Sequence, residues 1–194
     1  MTTPKQALEQ KLDTAYAALK QNLLYFHDKD PEYAENMMRW FQEVSIKNKM
    51  IHLNKRPPKK DKEMVRRRRK NVYYIDYGVN VGSEFNSPHF CVVVAEFRYH
   101  ALVVPLSSVK EHDENGWKKE EQNLYIEIGE VQGFPEETKE AYAIVSKIRE
   151  VSKQRLSDYR VPVTREFIKL HLTDEQMDLI DDAVRTMCTK PAEE

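Results

Sequence analysis

The sequence has few cysteines and no long apolar run. Its two cysteines, Cys91 and Cys188, are far apart, and each lies in an apolar pattern. This arrangement predicts two buried free thiols and does not have the spacing of a metal site. No apolar run approaches the ~20 residues that a membrane-spanning helix needs. Residues 1–21 also lack the apolar core of a signal peptide. We therefore expect a protein of a reducing, cytoplasmic compartment with no membrane segment.

Charge of both signs is present, but it is unevenly distributed. The chain has 31 basic and 32 acidic side chains and a formal net charge of −1. Residues 52–70 contain ten Lys or Arg against two Asp or Glu, so this segment carries about +8 and the remainder about −9. A basic run this dense attracts polyanions of any sequence. The alternative is a solvated linker that binds nothing specific.

Two apolar stripes predict a helical hairpin in the first part of the chain. In residues 5–27, apolar side chains recur with alternating steps of four and three, and the same stepping recurs in residues 33–51. Asp30 is the expected N-cap of the second helix, and Pro31 suits its first turn. Because only a tight turn separates the stripes, residues 1–54 are predicted to form an antiparallel hairpin.

A basic segment that contains two prolines follows the hairpin. Pro57 and Pro58 end the second helix, and the neighbouring lysines are not buried. Residues 55–70 are therefore predicted to be a linker or an exposed arm, with the domain boundary near residue 62. Its candidate contacts to a polyanion are Arg66, Arg67, Arg68 and Arg69.

The stretch from residue 71 to residue 108 predicts three β-strands. It contains three runs rich in β-branched and aromatic residues, each bounded by turn residues. The loop 78–89 between the first two runs is too long for a tight hairpin and carries polar side chains. Loops of this kind on a small sheet usually carry function. The three predicted strands are Val72–Asp76, Phe90–Phe97 and Ala101–Leu106.

The rest of the chain predicts further strands of the same sheet. Leu124–Ile128 alternates between apolar and polar residues, and Ala141–Val145 is a short apolar run, so both are expected to be strands. Residues 147–156 are expected to form a short strand or a turn. Residues 71–190 are therefore predicted to form a small, mostly antiparallel barrel.

A final helix has the clearest signals in the sequence. Thr173 with Gln176 three residues later forms a capping box, and Leu172 with Met177 forms a hydrophobic staple. This helix is expected to close the barrel. The predicted fold class of the whole chain is thus mainly β with helices (α+β), with a small barrel closed by this helix after a helical hairpin.

Three sequence blocks of the C-terminal part follow one another in the order of a known family. The blocks are Val72–Asp76 with Val81–Glu84, then Val103–Ser107, then Lys147–Leu156. The third block is similar to the family sequence QIRTxDKxRL. Together the blocks resemble the MazF/PemK family of toxin endoribonucleases from bacterial toxin–antitoxin systems. The resemblance covers residues 71–187, including the last helix.

The resemblance implies an activity and partners. Members of the family form dimeric SH3-like barrels and cut single-stranded RNA at short sequences without a metal, so no cofactor is expected. The ribose 2′-OH attacks the adjacent phosphate in line. This reaction needs a proton acceptor, a proton donor for the departing 5′-oxygen, and donors that stabilise the charge on phosphorus. The implied partners are single-stranded RNA, a second copy of the chain and an antitoxin protein.

The same resemblance assigns the candidate catalytic residues, with one departure from the family. The family arginine that precedes a proline at the second strand corresponds to His89, and that proline to Phe90. The family Thr or Ser that ends the third strand corresponds to Ser107. His89 and Ser107 are therefore the candidate catalytic residues. A histidine exchanges protons near neutral pH more readily than a guanidinium, but it supplies less fixed positive charge. Arg149 or Lys147 is thus expected to stabilise the phosphorane.

Three loop residues are candidate substrate contacts. Ser83 is expected to donate to a phosphate, or else to form the turn. Glu84 is expected to position RNA or to orient His89, or else to be solvated. Phe85 is expected to stack on a base, which is how single-stranded RNA is usually held.

Two alternatives to a ribonuclease stay open. In the first alternative, the barrel is catalytically impaired because it lacks the family arginine. It then acts as an RNA-binding, protein-binding or regulatory module. The second is a toxin that poisons DNA gyrase, a role of distant relatives with a similar fold. The GSE and IRxxxKxRL sequences argue against the second alternative.

Overall fold

The computed structural model describes residues 3–53, 66–82, 84–109, 124–135 and 140–189. Ser83 and residues 55–65 of the predicted linker lie outside the described residues. The chain divides into two compact units, Met1–Lys62 and Glu63–Glu194. Across the described ranges, none of the helices has both the length and the apolar character needed to cross a membrane.

The first unit is a pair of helices. Helix α1 spans Pro4–His27 and helix α2 spans Pro31–Leu53. The Asp30 carboxylate accepts the backbone N–H of Tyr33 at 2.9 Å, so the predicted cap of α2 is confirmed. In the described part of this unit, only Ala34 is buried. The apolar stripes thus cover each other incompletely.

The second unit is built on one curled antiparallel sheet. Its strand order is β4-β5-β3-β2-β1-β9, and β6 also pairs with β3. Strands β7 and β8 form a separate two-stranded hairpin. The strands are β1 Asn71–Asp76, β2 Pro88–Glu96, β3 His100–Ser108, β4 Tyr125–Glu130, β5 Glu140–Ile144, β6 Arg149–Ser152, β7 Tyr159–Arg160, β8 Phe167–Ile168 and β9 Leu170–His171. Helix α3 follows at Asp174–Thr189.

Side chains of β2 alternate between two apolar clusters on the two faces of the sheet. Phe90 and Val92 pack in the cluster beneath α3, whereas Cys91 and Val93 pack in the cluster on the other face. Cys91 is fully buried, as predicted. The same prediction was wrong for Cys188, because that residue lies on the solvent side of α3 and is exposed. The alternation places successive residues of β2 on opposite faces, which decides where the site residues point.

Helix α3 closes the sheet from the β4 edge. The capping box is confirmed, since Thr173 Oγ1 accepts the backbone N–H of Gln176 at 3.2 Å and Gln176 Oε1 accepts that of Thr173 at 3.0 Å. The buried amide of Gln176 also donates to the carbonyl oxygens of Ile128 and Glu130 on β4, at 2.8 and 2.9 Å. Leu172 is buried in the cluster beneath the helix.

The other attachment of α3 is to the residues that lead into β1. Lys70 Nζ lies 2.7 Å from Asp174 Oδ1, and Arg69 pairs with Asp181. The helix is thus attached to the sheet at two places, strand β4 and the start of β1. The α+β fold class, with a helical pair before a small curled barrel and a closing helix, is confirmed.

The end of the basic segment lies against the sheet. The Arg67 guanidinium donates to the Leu156 carbonyl at 2.7 Å, and its central carbon lies 4.8 Å from the Tyr73 ring centroid. Arg69 donates to the Val94 carbonyl at 2.5 Å. The expectation of a free arm is therefore wrong for Arg67, Arg69 and Lys70, because the sheet and α3 supply acceptors for their cationic groups.

A partly buried ion pair joins β2 to the third sequence block. Lys153 Nζ lies 2.6 Å from Glu96 Oε1, and the side chains are 7% and 28% exposed. Glu96 Oε1 also accepts the backbone N–H of Arg67 at 3.0 Å. The Lys153 hydrogen bond is the main cause that holds the pKa of Glu96 below its usual value.

Removing the cation of this pair is expected to destabilise the fold. Lys153→Met should lower the free energy of unfolding by about 1.5 kcal/mol, because it removes a hydrogen bond to the charged Glu96 carboxylate, which solvent partly reaches. Since the pKa of Glu96 is lowered in the folded state, the contribution of the pair is present above the usual carboxyl pKa. It is lost as the pH falls through the lowered value. Urea unfolding followed by circular dichroism measures both effects.

A surface pair provides the control. Arg185 and Asp182 pair at 2.7 Å with both side chains 71% exposed. Asp182→Asn should change the free energy of unfolding by less than about 1 kcal/mol. Equal effects of Lys153→Met and Asp182→Asn would show that the partly buried pair contributes no more to the free energy of unfolding than the exposed pair.

Candidate active site

His89 lies on β2, where the long loop joins the strand. Its backbone is opposite Ile75 on β1, and its ring lies against Phe85 with 4.4 Å between the ring centroids. Burial lowers the pKa of His89 below its usual value, whereas a hydrogen bond to the Asn86 backbone and the charge of Asp76 act in the opposite direction. The imidazole is therefore mainly neutral near pH 7, which is the form that accepts a proton.

Ser107 lies beside His89 on the neighbouring strand. The ladder between β2 and β3 includes the pair Phe90↔Leu106, and its register places Ser107 opposite His89. Phe90 and Leu106 point into the cluster beneath α3, so the alternation of the strands directs His89 and Ser107 to the other face. Ser107 also pairs with Tyr142 on β5. The two candidate catalytic residues thus share one face at one end of the sheet.

Tyr77 connects the loop to the third sequence block. Its buried ring contacts Phe85 edge-on, with 5.1 Å between centroids. The central carbon of the Arg149 guanidinium lies 5.6 Å from the same ring. Arg149 is on β6 opposite Val103, a residue of the apolar cluster on this face. The rings of Phe85 and Tyr77 thus lie between His89 and the Arg149 guanidinium.

Beneath the site lies a buried phenol and thiol pair. The Tyr77 hydroxyl faces the Cys91 thiol but makes no hydrogen bond of normal geometry to any described residue. Burial raises the pKa of the Cys91 thiol to about 12 and also raises the pKa of Tyr77. Both groups are protonated near neutral pH, so neither serves as a proton acceptor or nucleophile.

Arg155 is a site residue that the sequence reasoning missed. Its guanidinium donates to the Asp76 carbonyl at 2.6 Å and is half-buried. Burial lowers the pKa of Arg155, and the positive charge of Arg149 acts in the same direction. The two guanidinium groups are therefore close enough to repel each other, and the charge of Asp76 acts on the pKa of Arg155 in the opposite direction. The sequence did contain a signal for this residue, because Arg155 is the last arginine of the third block.

The other candidate residues are less closely associated with this site. Glu84 is exposed, and its backbone N–H donates to the Val81 carbonyl at 3.2 Å. Lys147 is half-buried in a 3₁₀ turn between β5 and β6. Arg66 and Arg68 are exposed, and the charge of Arg66 helps to lower the pKa of Glu96. In the same ranges, no group of three or more His, Cys, Asp or Glu side chains is placed to hold a metal ion.

Comparison with protein families decides the identity of the second unit. The sequence model of a family described as "PemK-like, MazF-like toxin of type II toxin-antitoxin system" matches residues 68–188, which is more than half of the chain. The chain belongs to this family. The predicted MazF/PemK membership is thus confirmed. No curated protein matches the sequence at a significant level.

Family membership sets a coarse function for the site. PemK family members are endoribonucleases of toxin–antitoxin systems, with an antitoxin as partner and RNA as substrate, and they are generally dimeric. Within this PemK-like unit, the structure brings His89, Phe85 and Arg149 together, and the strand register adds Ser107. The family match begins at residue 68, after α1 and α2, so it accounts for the second unit only.

Proposed function

We propose that the chain is a metal-independent endoribonuclease that cleaves single-stranded RNA at selected sequences. It acts in the cytoplasm as a homodimer and as the toxin partner of an antitoxin. The observation that carries the proposal is that one face of the sheet combines a mainly neutral His89 with the two arginines Arg149 and Arg155. A proton acceptor on the same face as fixed positive charge is what 2′-OH attack on a phosphodiester requires.

The reaction proceeds as an in-line displacement at phosphorus. Neutral His89 accepts the 2′-OH proton while the 2′-oxygen forms a bond to phosphorus. The bond between phosphorus and the 5′-oxygen breaks, and the departing oxygen takes a proton from solvent. Arg149 and Arg155 stabilise the charge on the non-bridging oxygens, and Ser107 donates a hydrogen bond to one of them. The products carry a 2′,3′-cyclic phosphate and a 5′-hydroxyl.

The long loop and its surroundings hold the RNA. Phe85 is half-buried against His89 and Tyr77, so its remaining face is available to stack on a base next to the cleaved phosphate. Ser83 and Glu84 are the proposed contacts to the neighbouring nucleotide. Lys147 is the proposed contact to a more distant phosphate. These positions would give the enzyme its sequence selectivity.

One assay tests the proposal. The purified protein is incubated with a pool of single-stranded RNAs in EDTA, and the fragment ends are determined by sequencing and by sensitivity to end-specific phosphatases. We expect fragments with 2′,3′-cyclic phosphate and 5′-hydroxyl ends at a short common sequence. A preparation of the His89→Ala variant controls for contaminating ribonuclease. Intact RNA across the whole pool would refute the proposal.

The replacement of the family arginine by His89 favours one second candidate function. In that case the barrel binds RNA or a protein partner and does not turn it over. The same assay separates the candidates, because a binding module retains the RNA in a gel-shift experiment and leaves it uncut.

Neutralising two exposed arginines should weaken RNA binding without changing the cleavage sequence. Arg66→Ser/Arg68→Ser should reduce the magnitude of the slope of log K against log salt concentration by about 1.4. This is about 0.7 for each phosphate that the variant no longer neutralises. Fluorescence anisotropy with a labelled RNA in the His89→Ala background measures the slope. Arg67 and Arg69 are left in place because they contact the sheet and α3.

Arg185→Ser is the matched control, since it removes an exposed arginine from α3. Its slope should equal that of the parent protein. If the double variant also keeps the parent slope, Arg66 and Arg68 are only solvated.

A further inference from the structure

Asn80 makes three hydrogen bonds across the long loop between β1 and β2. Its side-chain amide donates to the carbonyl oxygen of Tyr77 at 3.2 Å and to that of Phe85 at 2.8 Å, so both N–H donors of the amide are used. Its backbone N–H donates to Oδ1 of Asn86 at 2.7 Å. These bonds join the first residues of the loop to its last residues. One half-buried asparagine thus connects the two sides of the loop.

The base of the same loop is closed by the backbone. The N–H of Tyr77 donates to the Ser87 carbonyl at 3.1 Å, and the N–H of Ser87 donates to the Gly78 carbonyl at 2.9 Å. The bonds of Asn80 lie beyond this base and reach Phe85 and Asn86. Removing the Asn80 side chain would therefore leave the base of the loop closed and release the part that carries Phe85.

Both residues that Asn80 holds contact His89. The Phe85 ring covers the imidazole, with 4.4 Å between the ring centroids. The imidazole also makes a hydrogen bond to the Asn86 backbone that raises its pKa. Such a bond favours the protonated ring, so the ring is the donor and the Asn86 carbonyl is the acceptor. Because a neutral imidazole has one N–H, the bond to this carbonyl leaves the other nitrogen to accept a proton.

The charged groups near the imidazole belong to the sheet and to the third sequence block. Asp76 on β1 acts on the pKa of His89, and its side chain accepts the backbone N–H of Gly78 at 2.8 Å. Arg149 on β6 lies beyond the rings of the loop, and Arg155 follows in the next turn. A change at Asn80 leaves these charges in place. The titration of His89 would therefore report the position of Phe85 and Asn86.

We infer that Asn80 is a positioning residue of the proposed active site: it holds Phe85 and Asn86 so that the His89 imidazole keeps one tautomer and one orientation. The expected effect on cleavage rests on the proposed ribonuclease function. The expected effect on the imidazole does not.

Nuclear magnetic resonance of the full chain tests the inference without RNA. The ring signals of His89 are assigned by comparison with His89→Ala. Asn80→Ala should raise the pKa of His89 towards its usual value of about 6.5, because burial by Phe85 is the largest cause of the lowered pKa. The ring ¹⁵N shifts should change from those of one tautomer to those of a mixture.

Cleavage kinetics give a second readout. Asn80→Ala should lower the single-turnover rate at saturating RNA at least tenfold, because the proton acceptor is no longer held in one orientation. The acidic limb of the pH profile should move to higher pH with the pKa of His89. A folded Asn80→Ala variant with the parent titration and tautomer would overturn the inference. An altered titration with the parent cleavage rate would also overturn it.

Asn71→Ala is the matched control. It removes a half-buried asparagine amide at the start of β1, which donates to the Tyr73 hydroxyl at 3.1 Å. This variant should leave the titration of His89 and the cleavage rate unchanged, even where urea unfolding shows an equal loss of stability. The same change in His89 for Asn71→Ala as for Asn80→Ala would show a general loosening of the fold and would contradict the inference.

A second variant covers the case in which Asn80→Ala does not fold. Asn86→Ala removes only the side-chain acceptor of the Asn80 N–H and keeps the backbone carbonyl that holds the imidazole. It should change the titration and the rate in the same direction as Asn80→Ala, by a smaller amount, and an unchanged titration would overturn the inference. A parent protein that leaves RNA intact would refute the proposed function alone, since the titration and the tautomer still decide the role of Asn80.

Discussion

His89→Ala should reduce the single-turnover rate of RNA cleavage by roughly 10²–10⁴-fold, the range for loss of a general base. In the proposed reaction the neutral imidazole accepts the 2′-OH proton, and the buried Tyr77 and Cys91 beneath it keep their own protons and are not suited to replace it. Quenched-flow or manual single-turnover assays with a labelled RNA measure the effect.

The pH dependence gives the same prediction an independent readout. Because burial lowers the pKa of His89, its proton-accepting form predominates near pH 7 and disappears as the pH falls through the lowered pKa. The rate should therefore be flat around neutrality and should fall only below the usual histidine pKa of about 6.5. The residual rate of His89→Ala should lack this acidic limb.

Two further variants separate proton transfer from charge at this position. Ser107→Ala should lose less than His89→Ala, because its hydroxyl only donates a hydrogen bond. His89→Arg should stay slow if the position transfers a proton. Restored or increased cleavage by His89→Arg would mean that the position needs charge, and wild-type rates for both alanine variants would place the active site elsewhere.

Arg155→Ala should reduce the cleavage rate by about 10²–10³-fold, similar to the loss of one preorganised donor to a developing negative charge. The half-buried guanidinium is anchored on the Asp76 carbonyl at 2.6 Å, so it need not reorganise when the phosphorane forms. Arg149→Ala should have an effect of the same order. The double variant should lose less than the product of the two effects, because both groups are proposed to act on one phosphate.

Arg155→Lys tests whether the planar fork matters. A lysine keeps the charge but not the paired donors, so the rate should recover only in part. Arg98→Ala, an exposed arginine stacked on Tyr99, is the matched control and should cleave at the parent rate. If Arg155→Ala changes only the stability in urea and leaves the rate unchanged, its contact with Asp76 is structural.

Local patterns in the sequence were sufficient for most of the fold. Strands β1 to β5 show alternation or apolar runs, the helices show apolar stripes, and α3 carries its capping box in Thr173 and Gln176. The strands β7, β8 and β9 were missed because each has two residues, too few to show a pattern. The family blocks supplied the SH3-like type of the barrel and the candidate role of His89.

Contacts between distant residues were not predictable in this way. Arg69 finds Asp181, which is 112 residues later in the chain, so its basic run looks like a free arm in the sequence. Tyr77 became important only when the fold placed its ring between Phe85 and Arg149. Both features depend on three-dimensional neighbours that no local spacing records.

The attachment of α3 also bears on how the protein would aggregate. One amide, on Gln176, occupies two carbonyl groups of the outermost strand β4, while Lys70 and Arg69 hold the helix at the start of β1. Detachment of this single helix would uncover the apolar cluster and an edge strand together, without unfolding the rest of the sheet. Uncovered edges pair readily with other chains. The species that starts aggregation is therefore expected to be a nearly native molecule that has released its last helix.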